Sequence, residues 1–273
     1  MKKIAVTFYG LMRFWDITYQ MLEYWNNLYD DVEFYFFIST WADKKDRSVF
    51  NCTSCGKGGF DFVDLSEYNF LTSYEYLDIE DVVENPMEWA GCGTGWGHPI
   101  SVPRATYGMY KVQKLRKKYE QENNMKFDGV IQTRSDIRVD KTMLDFIRDL
   151  FIDEGMFPVH PKLFFTPSYL TLYPREPSET LFRLMSDIFA FAHPDAMDEY
   201  SEMYVDSFIT GVNKGKWPHL IHGEQLMNRR IYTIGCLPQP GVEVIRLGDD
   251  WNIAFEKTIK KRTSKKVVNE VLI

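Results

Sequence analysis

Short apolar runs of strand length punctuate the chain. Lys3 to Tyr9 (KIAVTFY), Val32 to Ser39 (VEFYFFIS) and Asp128 to Thr133 (DGVIQT) are each dense in β-branched and aromatic residues and read as strands. Between the first two, Trp15, Tyr19, Leu22 and Trp25 recur at spacings of three and four, which predicts a helix beginning after Gly10 and Leu11 with one apolar face. A longer helix is predicted from Val102 to Asn123. Ser101 suits its cap, Pro103 its first turn, and Met109, Val112, Leu115 and Tyr119 fall on one side. Further on, the run Ile188 to Ala192 is strand-like, a helical pattern resumes through Met197, Tyr200 and Met203, and Gln225 to Ile231 reads as a short helix. Strands apolar on both faces, alternating with helices, predict an α/β domain with a mainly parallel sheet flanked by helices.

A different kind of sequence interrupts this pattern from about residue 40 to 100. It is rich in Gly, aromatic and acidic residues, and has no Lys or Arg from Gly58 to Pro103. It reads as a loop-rich excursion from a single domain spanning residues 1–273. Its carboxylates, Asp61 to Glu84, are spaced irregularly, as on a solvated acidic face. The opposite imbalance closes the chain at about 256–273, where Lys257, Lys260, Lys261, Arg262, Lys265 and Lys266 form a basic tail, either a solvated helix or a contact for an anionic acceptor or membrane surface.

Composition narrows the function classes. With 273 residues, 45% of them apolar and 16% aromatic, the chain can bury a sizeable core. A formal charge of -7 argues against general nucleic-acid binding, which needs a basic surface to neutralise phosphates. Met1-Lys2-Lys3 leads only into a short apolar strand, and no run approaches the ~20 apolar residues of a membrane-spanning helix, so a cytoplasmic protein is expected. Cys52 and Cys55 have C-x-x-C-G spacing, and Cys92 and His98 could complete a tetrahedral zinc site. The second C-x-x-C is missing and the separation to Cys92 is long, so reduced cysteines in a Gly-rich loop are the favoured reading. Cys236 reads as an ordinary thiol near a turn.

In an open α/β sheet, ligands lie beyond the carboxyl ends of the strands. The loops after Tyr9, Ser39 and Thr133 supply Gly10 and Arg13, then Thr40 and Trp41, then Arg134 and Asp136. Gly10 permits a tight turn. Arg13, just inside a helix N-terminus, fits either a pyrophosphate site or a surface salt bridge. Asp136, between Arg134 and Arg138, suits either a turn or a hard divalent cation such as Mg²⁺ or Mn²⁺ bridging two phosphates. On the long helix, Arg104 and Lys111 lie two turns apart on nearly one face, with Lys114 beside them. Two roles fit these: reaching a nucleotide diphosphate, or snorkelling on an exposed face. Trp89 and Trp96, in the Gly-rich loop, suit a stacking platform for an acceptor sugar.

The order of motifs carries a resemblance. IAVTFYGLMRFW with VEFYFFISTW, SVPRATYGMYKVQKL leading into FDGVIQTRSDIRV, then SDIFAFAHPDAMDEYSEMY and HGEQLMNRRIY, together resemble a group of bacterial and viral (phage-like) GT-A-type glycosyltransferases from residue 1 to about 235. The resemblance implies a GT-A-like (Rossmann-like) fold. It implies transfer of a sugar from a nucleotide-sugar donor to a glycan, lipid-linked or protein acceptor. Arg134-Ser135-Asp136 stands where the family places its D-x-D metal motif, with Arg134 in place of the first aspartate, and Mn²⁺ or Mg²⁺ is the implied cofactor. Asp187 would orient an acceptor or sugar hydroxyl, or cap an element. Glu224 opens the helix at Gln225, where a carboxylate is also favoured by the helix dipole. An inverting enzyme needs one base, for which Asp187 and Glu224 are the candidates; in a retaining enzyme His222 suits a second metal ligand. The alternatives are a non-catalytic nucleotide- or carbohydrate-binding protein on the same fold, a zinc-dependent interaction module, and a nucleotidyltransferase. Against the last, the chain has no Gly-rich P-loop with its Lys.

Overall fold

A computed structural model describes residues 1–42, 63–78, 101–149, 161–166, 168–169, 184–185, 189–211, 225, 229–236 and 242–244. The elements, in chain order, are β1 (Lys2–Tyr9), α1 (Trp15–Asn26), β2 (Val32–Trp41), β3 (Leu71–Leu77), α2 (Ser101–Glu122), β4 (Gly129–Thr133), β5 (Ile137–Val139), α3 (Lys141–Arg148), β6 (Leu163–Thr166), β7 (Ser168–Tyr169), β8 (Leu184–Met185), β9 (Phe189–Ala192), α4 (Pro194–Ser201), β10 (Tyr232–Cys236) and β11 (Val242–Val244). Seven strands form one sheet in the order β10-β6-β9-β4-β1-β2-β3. Its pairings are parallel except those of β9, which runs against both β4 and β6. The sheet is therefore mainly parallel and flanked by helices, as the apolar pattern predicts.

Period-two alternation in β1 assigns its two faces. Ile4, Val6 and Phe8 share one cluster with Trp15, Leu22 and Trp25 of α1 and with Met143, Leu144 and Ile147 of α3. Ala5 and Tyr9 point the other way, into a cluster with Met109 and Val112 of α2 and with Met197 and Tyr200 of α4. Helices on both faces of a central strand leave β1 buried from Ile4 to Tyr9, which explains its mostly apolar run. Asp140 caps α3, its carboxylate accepting from Met143 N–H at 3.0 Å.

Two expectations are corrected. Within the stretch read as an excursion, Leu71–Leu77 is an edge strand of the main sheet, parallel to β2; its mixed LTSYEYL pattern is that of a half-exposed strand. The predicted helix through Ile231 stops earlier: Arg229 and Arg230 lie in a turn, Arg230 has φ 53, and β10 begins at Tyr232 and closes on Cys236. The zinc candidates Cys52, Cys55, Cys92 and His98, the residues Trp89 and Trp96, and the tail at about 256–273 lie outside the described residues. Among the described residues no helix is long and apolar enough to cross a membrane.

A buried polar chain crosses the α2 face. The Gln113 amide donates to Thr7 Oγ1 (2.9 Å) on β1 and to Gln132 Oε1 (3.0 Å) on β4, and its own oxygen accepts from Arg116 Nε at 2.8 Å. The fully buried Arg116 also meets Asp198 of α4 and stands 3.0 Å from Glu120, in ionic contact without hydrogen-bond alignment. Replacing Arg116 with Met leaves the buried Glu120 with the Phe127 N–H and, for a cation, only the largely exposed Lys126 at 3.5 Å. Such a loss is expected to lower unfolding free energy by about 3 kcal/mol, measured by urea denaturation.

His193 caps α4, its Nδ1 accepting from Asp195 N–H at 3.1 Å. Burial holds its imidazole below the ordinary 6.5, outweighing the opposite pull of Asp195 and Asp198. A histidine with a depressed folded value contributes stability that is present above the unfolded pKa and is lost as pH falls through the folded one. Stability should therefore decline as pH drops below about 6.5. His193→Asn, which keeps a capping acceptor, should remove this part of the slope in pH-dependent melts.

Candidate functional site

The chain order places a switch point at β1: β2 and β3 extend the sheet on one side, while β4 adds on the other. Loops leaving the carboxyl ends of the neighbouring strands β1 and β4 lie at the edge where open α/β sheets bind ligands, and the helices that follow them, α1 and α3, pack on the same face. Gly10 has φ 90, and a Cβ there would meet no atom within 4 Å, so its role is backbone freedom rather than space. Phe14, at the entry to α1, also adopts the left-handed region, with φ 52 and ψ 39. For a non-glycine residue this costs on the order of 1–3 kcal/mol and persists only where surroundings over-determine it. Arg13 is held between these two left-handed residues, and its N–H donates to the Leu11 carbonyl at 2.9 Å.

The second loop locks onto the first. Ser135 Oγ donates to the Leu11 carbonyl at 2.8 Å, and the Ser135 carbonyl accepts from Thr18 Oγ1 in the first turn of α1. Both side chains are completely buried. With this clasp closed, Arg134 Nε donates to Asp136 Oδ1 at 2.8 Å, its Nη2 donates to Oδ2, and Arg13 Nη1 stands 3.5 Å from Oδ2. Asp136 is only 2% exposed, whereas Arg134 and Arg13 retain 29% and 16%.

Of the residues singled out from sequence, Gly10, Arg13, Arg134 and Asp136 converge here. Arg104 and Lys111 do not project together from α2. Arg104 is buried at 8% exposure, and Lys111 faces Glu75 of β3 at 3.4 Å, with Glu75 accepting from Ser39. Lys114 faces Glu202 at 3.2 Å. α2 does reach the switch point through Gly108, whose Cβ would lie 3.4 Å from Tyr9 Cβ and 3.5 Å from Gly10 N. Thr40 and Trp41 belong to β2; Trp41 is buried against Tyr107 and Tyr204. Asp187, His222 and Glu224 lie outside the described residues. The chain enters β9 at Phe189, opposite Thr133. Sequence reasoning missed Ser135 and Thr18; the small hydroxyl between two charged residues in T-R-S-D is the one signal that pointed to a packed turn.

The same groups test the expected divalent cation. A dication about 2.1 Å from a carboxylate oxygen gains roughly 16 kcal/mol at an effective dielectric of 20, while each guanidinium about 4 Å away returns roughly 8 kcal/mol of repulsion. Two guanidinium groups cancel the attraction and leave dehydration of the ion uncompensated. Among the described residues no cluster of three or more His, Cys, Asp or Glu is placed to hold a metal. The described residues by themselves, without donor phosphates, do not fit a cation on Asp136.

No family model and no curated protein matches the chain. Among solved structures it is similar to a galactosyltransferase, LgtC, in complex with donor and acceptor sugar analogs, with 11% identity over 84% of this chain and 70% of that one and a TM-score of 0.37. It is also similar to an active-site mutant of LgtC, with 12% identity, the same coverage and a TM-score of 0.38. At TM-scores below 0.5 the likeness identifies no fold, and the description of the fold rests on the sheet order and register.

Asp136→Ala would leave Arg13 and Arg134 facing each other without their shared counter-ion. Discounted for the partial exposure of both arginines, the loss in unfolding free energy should be about 2 kcal/mol by urea denaturation.

Proposed function

We propose that this chain is a glycosyltransferase of GT-A type that moves a sugar from a nucleotide-sugar donor to a glycan, lipid-linked or protein-linked acceptor. One observation carries the reading: Arg13 and Arg134, from the loops that leave the neighbouring strands β1 and β4, converge on a buried Asp136 beyond the carboxyl ends of those strands. Arginine suits a diphosphate because its planar donor fork matches two phosphate oxygens at once. The order of sequence motifs, with R-S-D after the third predicted strand and D-I-F-A and G-E-Q segments downstream, supports the same class.

In this reaction an acceptor hydroxyl oxygen bonds to the anomeric carbon as the bond from that carbon to the diphosphate oxygen breaks. The electron pair leaves with the nucleoside diphosphate, and the hydroxyl proton passes to a carboxylate. Asp187, two positions before the strand that begins opposite Thr133, and Glu224 are the proposed bases. Charge builds on the leaving diphosphate, and fixed positive groups there stabilise the transition state more than the ground state.

Incubation with a panel of nucleotide sugars should release a nucleoside diphosphate for one of them. That donor, or its diphosphate product, present at a hundredfold over its dissociation constant, should stabilise the protein by about 2.7 kcal/mol in thermal unfolding. A panel in which no nucleotide sugar or nucleoside diphosphate shifts the melt would remove the transferase reading.

A further inference from the structure

Past Ser201, where α4 ends, the chain enters a π-turn, Val205–Ile209, in which the Thr210 N–H donates five residues back to the Val205 carbonyl at 2.9 Å. Single π-turns are rare and concentrate at functional positions. This one sits beyond the carboxyl ends of the strands. Val205 and Phe208, together with Leu11 from the loop after β1, pack against the buried cluster of Trp41, Leu77, Tyr107 and Tyr204, in which Trp41 closes β2 and Leu77 closes β3. Leu11 is also the residue whose carbonyl Ser135 holds, so the π-turn and the loop carrying Arg13 share one footing. From this turn Asp206 grips a segment later in the chain. Its Oδ2 accepts from Gln225 Nε2 at 2.8 Å and from Arg229 Nε at 2.9 Å, and its Oδ1 accepts from Arg229 Nη2 at 2.7 Å, the side-by-side geometry of a strong guanidinium–carboxylate pair. Glu199 of α4 takes the same two residues: its carbonyl accepts from Gln225 Nε2 at 3.0 Å and its carboxylate from Arg229 Nη1 at 3.2 Å. The Arg229 N–H donates to the Gln225 carbonyl at 3.0 Å, and Gln225 is fully buried. Two residues held at two points each have their height and rotation against α4 fixed.

We propose, resting on the transferase reading, that Asp206 is a positioning residue for the acceptor base and that this base is Glu224. Glu224 is bonded directly to Gln225, so the peptide bond limits how far it can stand from a neighbour that is buried and fixed. A base acts only within hydrogen-bond reach of the proton it takes, and a displacement of about 1 Å can cost about a hundredfold in rate. Asp206 touches neither donor nor acceptor and works through the residues it holds, Gln225 and Arg229. The π-turn then ties the base to the loop carrying Arg13, with Asp206 on one side of it and the cluster at Leu11 on the other. Bond changes are those of the transfer itself: the acceptor oxygen bonds to the anomeric carbon, the diphosphate leaves with the electron pair, and the hydroxyl proton goes to Glu224.

The test measures kcat and donor KM of the full chain with the nucleotide sugar it turns over, on variants shown by thermal melts to be folded at the assay temperature. Asp206→Asn should lower kcat about tenfold or more and leave donor KM within about twofold, the split expected when a base is misplaced and the donor site is intact. Glu224→Gln should lower kcat further. In that background Asp206→Asn should cost nothing more, within about twofold, because a residue that acts through the base has no effect once the base is gone. Arg229→Lys, which keeps the charge opposite Asp206, should retain more kcat than Arg229→Gln, and this pair carries the same comparison if Asp206→Asn does not fold. Unchanged kcat in Asp206→Asn, a rise in donor KM in place of the fall in kcat, or equal losses with and without Glu224 would overturn the positioning role and leave the transferase standing. A Glu224→Gln variant as active as the parent chain would overturn it too. A parent chain that releases a nucleoside diphosphate from no nucleotide sugar would remove the transferase reading itself.

Discussion

The pairing of Asp136 with Arg134 and Arg13 is the constraint on which the centre of the molecule depends. It joins two loops that leave adjacent parallel strands. Around it, Ser135 and Thr18 close the backbone of one loop onto the other, and Phe14 holds a left-handed conformation that a loop left to itself would relax. A strained residue beside a buried ion pair is the pattern expected where a site is built at some cost in stability and the surrounding packing holds it. The helices on either face do that holding: α1 begins directly at the strained residue, and α2 touches Tyr9 and Gly10 through Gly108.

Behind the site, the polar chain from Thr7 and Gln132 through Gln113 and Arg116 to Asp198 binds the two central strands to α2 and α4. It occupies the face opposite α1, so the strands bearing the two loops are fixed from both sides, by apolar packing on one and a polar network on the other in which Arg116 Nη1 makes an ionic contact only. Partly satisfied networks are costly. A buried arginine shared by two carboxylates specifies the register of helix against sheet more narrowly than apolar contact alone.

Much of the fold was legible because its signals are local. β1, β2 and β4 announce themselves as apolar runs buried on both faces, and α1 and α2 as three-and-four periodicities with a cap or a first-turn proline. β3 was hidden because an edge strand is half exposed and its pattern dissolves into the surrounding acidic sequence. β6, β10 and the pairing of β5 with β11 depend on long-range partners, and short strands carry too few residues to declare a period. At the site, Gly10, Arg13, Arg134 and Asp136 could be grouped from the rule that ligands bind beyond strand carboxyl ends. What sequence could not supply was the direction of the charges. Whether Asp136 faces a cation from solvent or two arginines from its own chain depends on how the loops fold together, and Ser135 and Thr18, which decide that, carry no charge to draw notice. Helical spacing puts Arg104 and Lys111 near one face; what spacing could not supply is that Arg104 is buried and that Lys111 faces Glu75.

The central claim is that an anion, the donor diphosphate, meets Arg13 and Arg134 at the switch point. A crystal structure of the full chain with its preferred nucleoside diphosphate, grown in the presence of Mn²⁺, tests it most directly. The account predicts phosphate oxygens within hydrogen-bond distance of both guanidinium groups, with Asp136 still paired to the arginines. A diphosphate bound away from Arg13 and Arg134, or a metal ion coordinated by Asp136 with the arginines displaced, would contradict it.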